Sequence, residues 1–206
     1  MLTKLPAFKE KVDPRVKRTR QLLVQAFNDL LMEKGFEAMT VQDIADRATV
    51  NRATFYAHFA DKYALLDYVA SESFKRALSS KLPPHAELNA PNVQLLIQIV
   101  GEYLEMVLVH CKPSIHTSFD TLIEQQVKQQ LYQELLTWLN DTALKEAHLQ
   151  KDVELRATAA SWAIYGLAMR WSQGKRKESA AEFARRALPL IMAGLEPPAP
   201  EVTARS

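Results

Sequence analysis

Residues 40–62 read TVQDIADRATVNRATFYAHFADK, and this stretch decides the fold. It parses as two short helices joined by a tight turn, followed at once by the start of a third. Thr40 suits an N-cap, with Asp43 three residues on in a capping-box position. Val41, Ile44, Ala45 and Ala48 then mark one apolar stripe at helical spacing. Thr49, Val50 and Asn51 interrupt it, and Asn51 suits the cap of a second helix over 52–58. In that helix Phe55 and Phe59 point one way, while Arg52 with Tyr56 and Ala53 with Ala57 point the other. A short helix wedged by two phenylalanines and exposing a guanidinium, a phenol and small residues is how a helix-turn-helix offers its recognition helix to a DNA major groove.

The segment resembles the DNA-binding domain of the tetracycline-repressor (TetR/AcrR) family of bacterial transcription regulators. The residues that carry the likeness are Thr40-Val41-Gln42-Asp43-Ile44-Ala45, then 50–59 (VNRATFYAHF), then Lys62; it covers residues 15–66, about a quarter of the chain. One departure is Thr49, where the family usually has glycine, because a β-branched residue at positive φ is strained.

Geometry sorts the contacts that such a helix-turn-helix would make. Arg52, in the first turn of the recognition helix, can reach bidentate to guanine, and Gln42 is a second candidate base reader. Ala53 and Ala57 admit close approach and can meet a thymine methyl, and Val41 belongs to the same surface. Thr40, Thr54, Tyr56, His58 and Lys62 are the expected phosphate clamp, as similar positions are in the family.

Outside this segment the chain reads as all-α. Its five glycines do not fall in strand-and-turn patterns, and no stretch alternates apolar and polar residues between turn signals. Gly35, Gly174 and Gly194 follow apolar helical runs and are expected as left-handed helix ends. The first helix is expected over 14–34, capped by Asp13 with Pro14 at N1 and burying Leu22, Leu23, Ala26, Phe27, Leu30 and Leu31. Asp61 is expected to cap a fourth helix ending near Ser80. Leu82-Pro83-Pro84 through Pro91 is the breaker-rich linker, which sets the expected domains at 1–82 and 83–206. Further helices are expected from just past Pro91 to Cys111, over 119–145 with a break near Asn140-Asp141, over 152–173 and over 178–193. Residues 114–118 are expected irregular, and the segment with Pro197, Pro198 and Pro200 disordered.

Net charge is +2, with the excess at the start: the first 20 residues hold seven Lys/Arg and two Asp/Glu. Lys4, Lys9 and Lys11 read equally as a solvated tail. Arg15, Lys17, Arg18 and Arg20 open a helix whose dipole they oppose, a penalty that an external polyanion would remove. A single cysteine, Cys111, excludes an intrachain disulfide and suits a reducing cytoplasm. No apolar run is long enough for a membrane span or a leader segment. His110, Cys111 and His116 fit no zinc spacing, so no metal and no cofactor are expected. Nucleotide loops and hydrolase signatures are absent, which argues against an enzyme.

The second domain offers two further expectations. The last two helices carry a flank of small residues, Ala157, Ala159, Ala160, Ser161, Ala163, Gly166 and Ala168, continued by Ala180, Ala181, Ala184, Ala187 and Leu188, and the resemblance implies that they form a four-helix bundle with a second copy. The resemblance also implies an inducer pocket, for which the candidates are Tyr103, Met106, His110, Phe119, Trp138, Trp162, Tyr165 and Met169. Each of these also suits an ordinary core position. The expected protein is a homodimeric, sequence-specific regulator on a palindromic double-stranded operator, a repressor released by a small molecule. The rival reading is a helix-turn-helix protein that acts as a coactivator or DNA-organising factor through a protein partner.

Overall fold

The computed structural model describes residues 13–110, 118–145, 152–174 and 178–196. Among these the chain forms helices α1 (Pro14–Lys34), α2 (Val41–Arg47), α3 (Arg52–Tyr56), α4 (Lys62–Lys81), α5 (Ala90–His110), α6 (Ser118–Lys145), α7 (Val153–Gln173) and α8 (Ala180–Leu195), with no strand. None of them is long and apolar enough to cross a membrane. Lys4, Lys9, Lys11, Cys111, His116, residues 114–117 of the stretch expected irregular at 114–118 and the C-terminal prolines lie outside the described residues, as does the His110 side chain; Ser118, the last of that stretch, begins α6 instead.

The chain divides into two compact units, Met1–Leu65 and Leu66–Ser206. The breakers at 82–91 end a helix; the compact units part earlier, within α4. The cause is the burial pattern of that helix. Beyond Leu65 its buried side chains are Leu66, Ala70, Phe74 and Leu78. Phe74 packs on Tyr103 of α5 at 4.9 Å, and Ser73 shares a 2.7 Å hydrogen bond with the Tyr103 hydroxyl. Gln126 of α6 donates to Asp67 at 2.5 Å, and Gln130 donates to the Ser71 carbonyl at 3.0 Å.

In the first unit α1 begins as its sequence dictates. The Asp13 carboxylate accepts the Arg15 amide at 2.8 Å, Pro14 occupies N1, and Gly35 (φ +76) releases the chain at the other end. Leu23, Ala26, Phe27 and Leu30 are buried, as are Phe36, Met39, Ile44, Ala45, Phe55 and Phe59, and Phe27 meets Phe36 edge to face at 6.1 Å. Leu22 is 44% exposed and Leu31 half-buried, so the buried stripe of α1 is narrower than the apolar pattern suggests. A helix on the rim of a three-helix unit has only one flank to cover.

In the second unit α5 packs on α7 and α8, and α6 packs on α7. Gly101 permits one of these contacts. A Cβ there would sit 3.2 Å from the Trp171 ring, which itself stacks on Phe183 at 5.2 Å. Several sequence expectations are corrected here. Helix α5 starts at Ala90 because Asn89 caps it, accepting the Asn92 amide at 2.9 Å, and Pro91 falls in its first turn. Helix α6 runs unbroken through Asn140-Asp141. Gly174 has φ −73, and Gly194 lies inside α8, so neither is a left-handed helix end. The start of α8 is set by Ser179, whose capping box with Glu182 has both halves formed.

Candidate nucleic-acid interface

Two caps and one turn set the geometry of α2 and α3. The Thr40 hydroxyl accepts the Asp43 amide at 3.1 Å and donates to the Asp43 carboxylate at 2.6 Å; that carboxylate also accepts the Thr40 amide at 2.8 Å. Lys34 of α1 reaches the same carboxylate at 2.7 Å. Its hydrogen bond, then those from Thr40, hold the Asp43 carboxyl well below the usual carboxylate range. A second tie runs from Arg47 to Glu33 as a two-pronged pair, at 2.8 and 2.6 Å. Each exposed pair stabilises little by itself, but both fix the direction of α2 against α1. Sequence reading singled out neither, because partners 9 and 14 residues apart carry no local signal.

Helix α2 ends in a Schellman turn. The Val50 amide bonds the Ala45 carbonyl at 2.9 Å and the Thr49 amide bonds that of Asp46 at 3.1 Å. This places Thr49 at φ +56, the strained position expected from its sequence. Left-handed backbone costs an L-residue about 1–2 kcal/mol and glycine loses about 0.5–1 kcal/mol in entropy, so Thr49→Gly is expected to gain about 0.5–1 kcal/mol. Thermal unfolding followed by circular dichroism should show a melting point about 2–4 °C higher. A lower one would refute the strain.

Asn51 then caps α3, accepting the Thr54 amide at 2.7 Å and the Thr54 hydroxyl at 2.9 Å. Phe55 is fully buried and Phe59 nearly so, their rings 6.0 Å apart. With that face committed inward, Arg52, Ala53, Tyr56 and Ala57 are left exposed. The Arg52 guanidinium lies 5.6 Å over the Tyr56 ring and donates to its hydroxyl at 3.1 Å. That contact holds the arginine charged and pre-aligned, and leaves the phenol its own O–H to donate. Gln42 is also exposed, its amide donating to Asp46 at 2.7 Å. Val41 is half-buried beside it.

The expected phosphate clamp is only partly free to act. Tyr56 is 47% exposed, and His58 is half-buried. Burial first, then the nearby Arg20 charge, pull the His58 imidazole below its ordinary value. Thr40 and Thr54 have one hydroxyl hydrogen each, already given to Asp43 and Asn51. Their first duty is therefore to cap. Lys62 is held within its own chain. Its ammonium donates to three carbonyls of its own chain, those of Phe36, Glu37 and Met39, which leaves no N–H for a phosphate. On α1, Arg15, Lys17 and Arg18 are exposed at the positive end of the helix with no acid in the first turn.

The expected pocket residues whose side chains are described divide between interior and surface. Tyr103, Phe119, Trp138 and Tyr165 are buried, and burial pushes the Tyr165 phenol up. Met169 is half-buried, its sulfur accepting from Gln173 at 3.3 Å. Met106 is 47% and Trp162 61% exposed, so these two belong to the surface. Two open grooves of about 720 and 710 Å³ run along α6 and α7. Of these residues, Trp162 alone lines either groove, beside Lys128, whose ammonium sits 3.6 Å over its ring. Among the described residues no His/Cys/Asp/Glu group could hold a metal.

Comparison with known proteins bears on the helix-turn-helix most directly. Residues 23–69 match the family described as bacterial regulatory proteins, tetR family. The HTH-type transcriptional regulator YdeS of Bacillus subtilis is 40% identical over 70 residues, which are 34% of this chain and 33% of that relative. The chain thus spans about a third of the length of that curated relative. The transcriptional repressor DhaR of a Mycobacterium species is 26% identical over 177 residues, 80% of this chain and 87% of its own. The crystal structure of the regulator FadR from Bacillus subtilis, in complex with stearoyl-CoA, superposes with a TM-score of 0.55 at 17% identity, covering 85% of this chain and 99% of that one. At that identity the likeness speaks for the fold alone. The capped α2, the Schellman turn and the phenylalanine-wedged α3 all lie inside the stretch that matches the tetR family of bacterial regulatory proteins.

Proposed function

We propose that this protein is a sequence-specific, DNA-binding transcription regulator that grips a two-fold operator as a homodimer and is released from it by a small molecule. One observation carries the first part: α3 commits Phe55 and Phe59 to the core, so that Arg52, Ala53, Tyr56 and Ala57 form a small, cationic, exposed face. Such a face fits a major groove. In this reading Arg52 and Gln42 read base edges, and Ala53 and Ala57 let the helix sit deep. Val41 lines the same surface, and Tyr56 and His58 steady the DNA backbone, helped by Arg15, Lys17 and Arg18, while Thr40 and Thr54 hold the helix starts that aim them.

The dimer rests on α7 and α8. Of the small residues expected there, Ala157, Ala160, Ser161, Ala168, Ala184 and Ala187 are buried within the chain itself; the exposed stripe is instead Leu155, Ala159, Trp162, Ala163 and Gly166 of α7, with Leu190, Ala193 and Gly194 of α8. Exposed apolar side chains interleaved with small residues suit the close approach of a second copy. For the signal, a regulator of like fold, FadR from Bacillus subtilis, is found in complex with stearoyl-CoA, which supports a small-molecule ligand for this protein too. Tyr103, Phe119, Trp138, Tyr165 and Met169 are the residues around which its site would open.

Selection of duplexes from random DNA tests the core of the proposal. A two-fold consensus should emerge, with affinity falling steeply as salt rises. Arg52→Ala is then expected to weaken the consensus by about 1–3 kcal/mol per half-site and to relax preference at one base position in each. An unchanged consensus would remove Arg52 as a reader. Recovery of no consensus would remove the function.

A further inference from the structure

The turn between α1 and α2 holds a half-buried cation that the DNA-facing surface does not explain. The chain leaves α1 through Gly35 and enters α2 at Thr40, and the carbonyls between them point away from any helix ladder and need donors. Within the turn itself the Met39 amide reaches the Phe36 carbonyl at 3.2 Å. Lys62 supplies the rest: its Nζ donates to the carbonyls of Phe36 at 3.0 Å, Glu37 at 3.3 Å and Met39 at 2.9 Å. The same nitrogen lies 4.6 Å from the centre of the Phe36 ring and 5.6 Å from that of Tyr63, two rings packed edge to face at 5.2 Å. Carbonyl dipoles below and aromatic faces beside it compensate a cation that opposes the dipole of its own helix, where it is the first residue.

We propose that Lys62 is the positioning residue of the helix-turn-helix: its ammonium latches the chain entering α2 to the chain leaving α3 and does not touch nucleic acid. The latch stands on the free protein; its consequence for binding rests on the DNA-binding reading above. Everything that faces the groove lies between the two tied points. Helix α3 has five residues, far below the length at which a helix holds itself, so its angle is set by what flanks it. Upstream, the tied Met39 carbonyl is one residue before the Thr40 cap; downstream, Lys62 follows the Asp61 cap, which accepts the Ala64 amide at 2.8 Å. Three carbonyls converging on one point match a tetrahedral ammonium and not the planar fork of arginine.

Lys62→Met and Lys62→Arg distinguish this role from a phosphate contact. Both variants are measured in the full chain against the duplex recovered by selection, well below the melting temperature, with circular dichroism confirming the fold. Lys62→Met is expected to weaken binding ~10-fold while the slope of log affinity against log salt stays at the wild-type value, since no counterion release is lost. Lys62→Arg is expected to weaken binding similarly. A slope smaller by about 0.9 per lost contact, with arginine restoring affinity, would overturn the proposal in favour of a phosphate ligand. Unchanged affinity in both folded variants would overturn it as well. Should Lys62→Met fail to fold, the wild-type protein decides the matter by nitrogen-15 NMR. The Lys62 ammonium should give a resolved, slowly exchanging signal in the free protein that keeps its shift when duplex is added. A signal that appears only with DNA refutes the latch. If the wild type binds no duplex at all, the DNA reading fails, while the ammonium signal of the free protein still tests the latch.

Discussion

Phe55→Ala is expected to cost the first unit about 3–5 kcal/mol and to abolish operator binding. Phe55 is fully buried, and its ring meets Phe59 at 6.0 Å and Tyr56 edge-on at 5.6 Å. Removing it leaves a cavity beside Phe59 in a unit too small to collapse around it. The loss has a second component. Helix α3 has few backbone bonds of its own, and its purchase on the core is these two phenyl rings. Urea unfolding monitored by circular dichroism should resolve a destabilised first transition, with the transition of the second unit unchanged. Phe55→Leu, which keeps most of the volume, should cost about 1–1.5 kcal/mol and leave binding measurable. If Phe55→Ala bound the operator like the wild type, α3 would not owe its place to that ring, and the assignment of its exposed face would lose its basis.

Local signals explain why the first unit could be read from its residues. Asp13-Pro14, Thr40 with Asp43, and Asn51 each declare a helix start within three residues, and each forms the bond its type predicts. The phenylalanines of α3 and the positive φ at Thr49 were legible for the same reason, because spacing and chirality act locally. What failed was long-range. Nothing near Lys62 announces that three carbonyls more than twenty residues upstream will converge on it. The division within α4 depends on Tyr103, Gln126 and Gln130, which approach it from other helices. In the second unit the aromatic and methionine spacing is common to cores, pockets and interfaces, so Trp138 (buried) and Trp162 (exposed) could not be told apart. Gly174 and Gly194 misled because a glycine near a helix end permits a left-handed turn without requiring one.

Trp162 and Leu190 bring the argument to assembly, where the largest change in oligomeric state is expected. Leu190 is 68% exposed, and Leu155 and Trp162 on α7 are 68% and 61% exposed. A surface leucine changed to glutamate alters the stability of an isolated chain by no more than about 0.5 kcal/mol. In a two-fold interface each substitution enters twice and sets two carboxylates in an apolar contact, where each unpaired charge costs several kcal/mol. Leu190→Glu should therefore raise the dimer dissociation constant by roughly 10³ or more while the melting temperature of the monomer stays put. Operator affinity should fall by about 10²–10⁴, because the second half-site loses the effective concentration that a linked partner provides. Gly166 supplies the complementary change. A Cβ at this position meets nothing within 4 Å in the chain itself, so Gly166→Leu should stabilise helix α7 by up to about 1 kcal/mol. The same leucine should weaken a dimer whose helices cross there, since it holds the partner backbone away. Sedimentation velocity across a concentration series reads both variants. A Leu190→Glu protein that still sediments as a dimer, or a Gly166→Leu protein that associates more tightly than the wild type, would place the contact between copies elsewhere and leave the exposed stripe of α7 and α8 without its occupant.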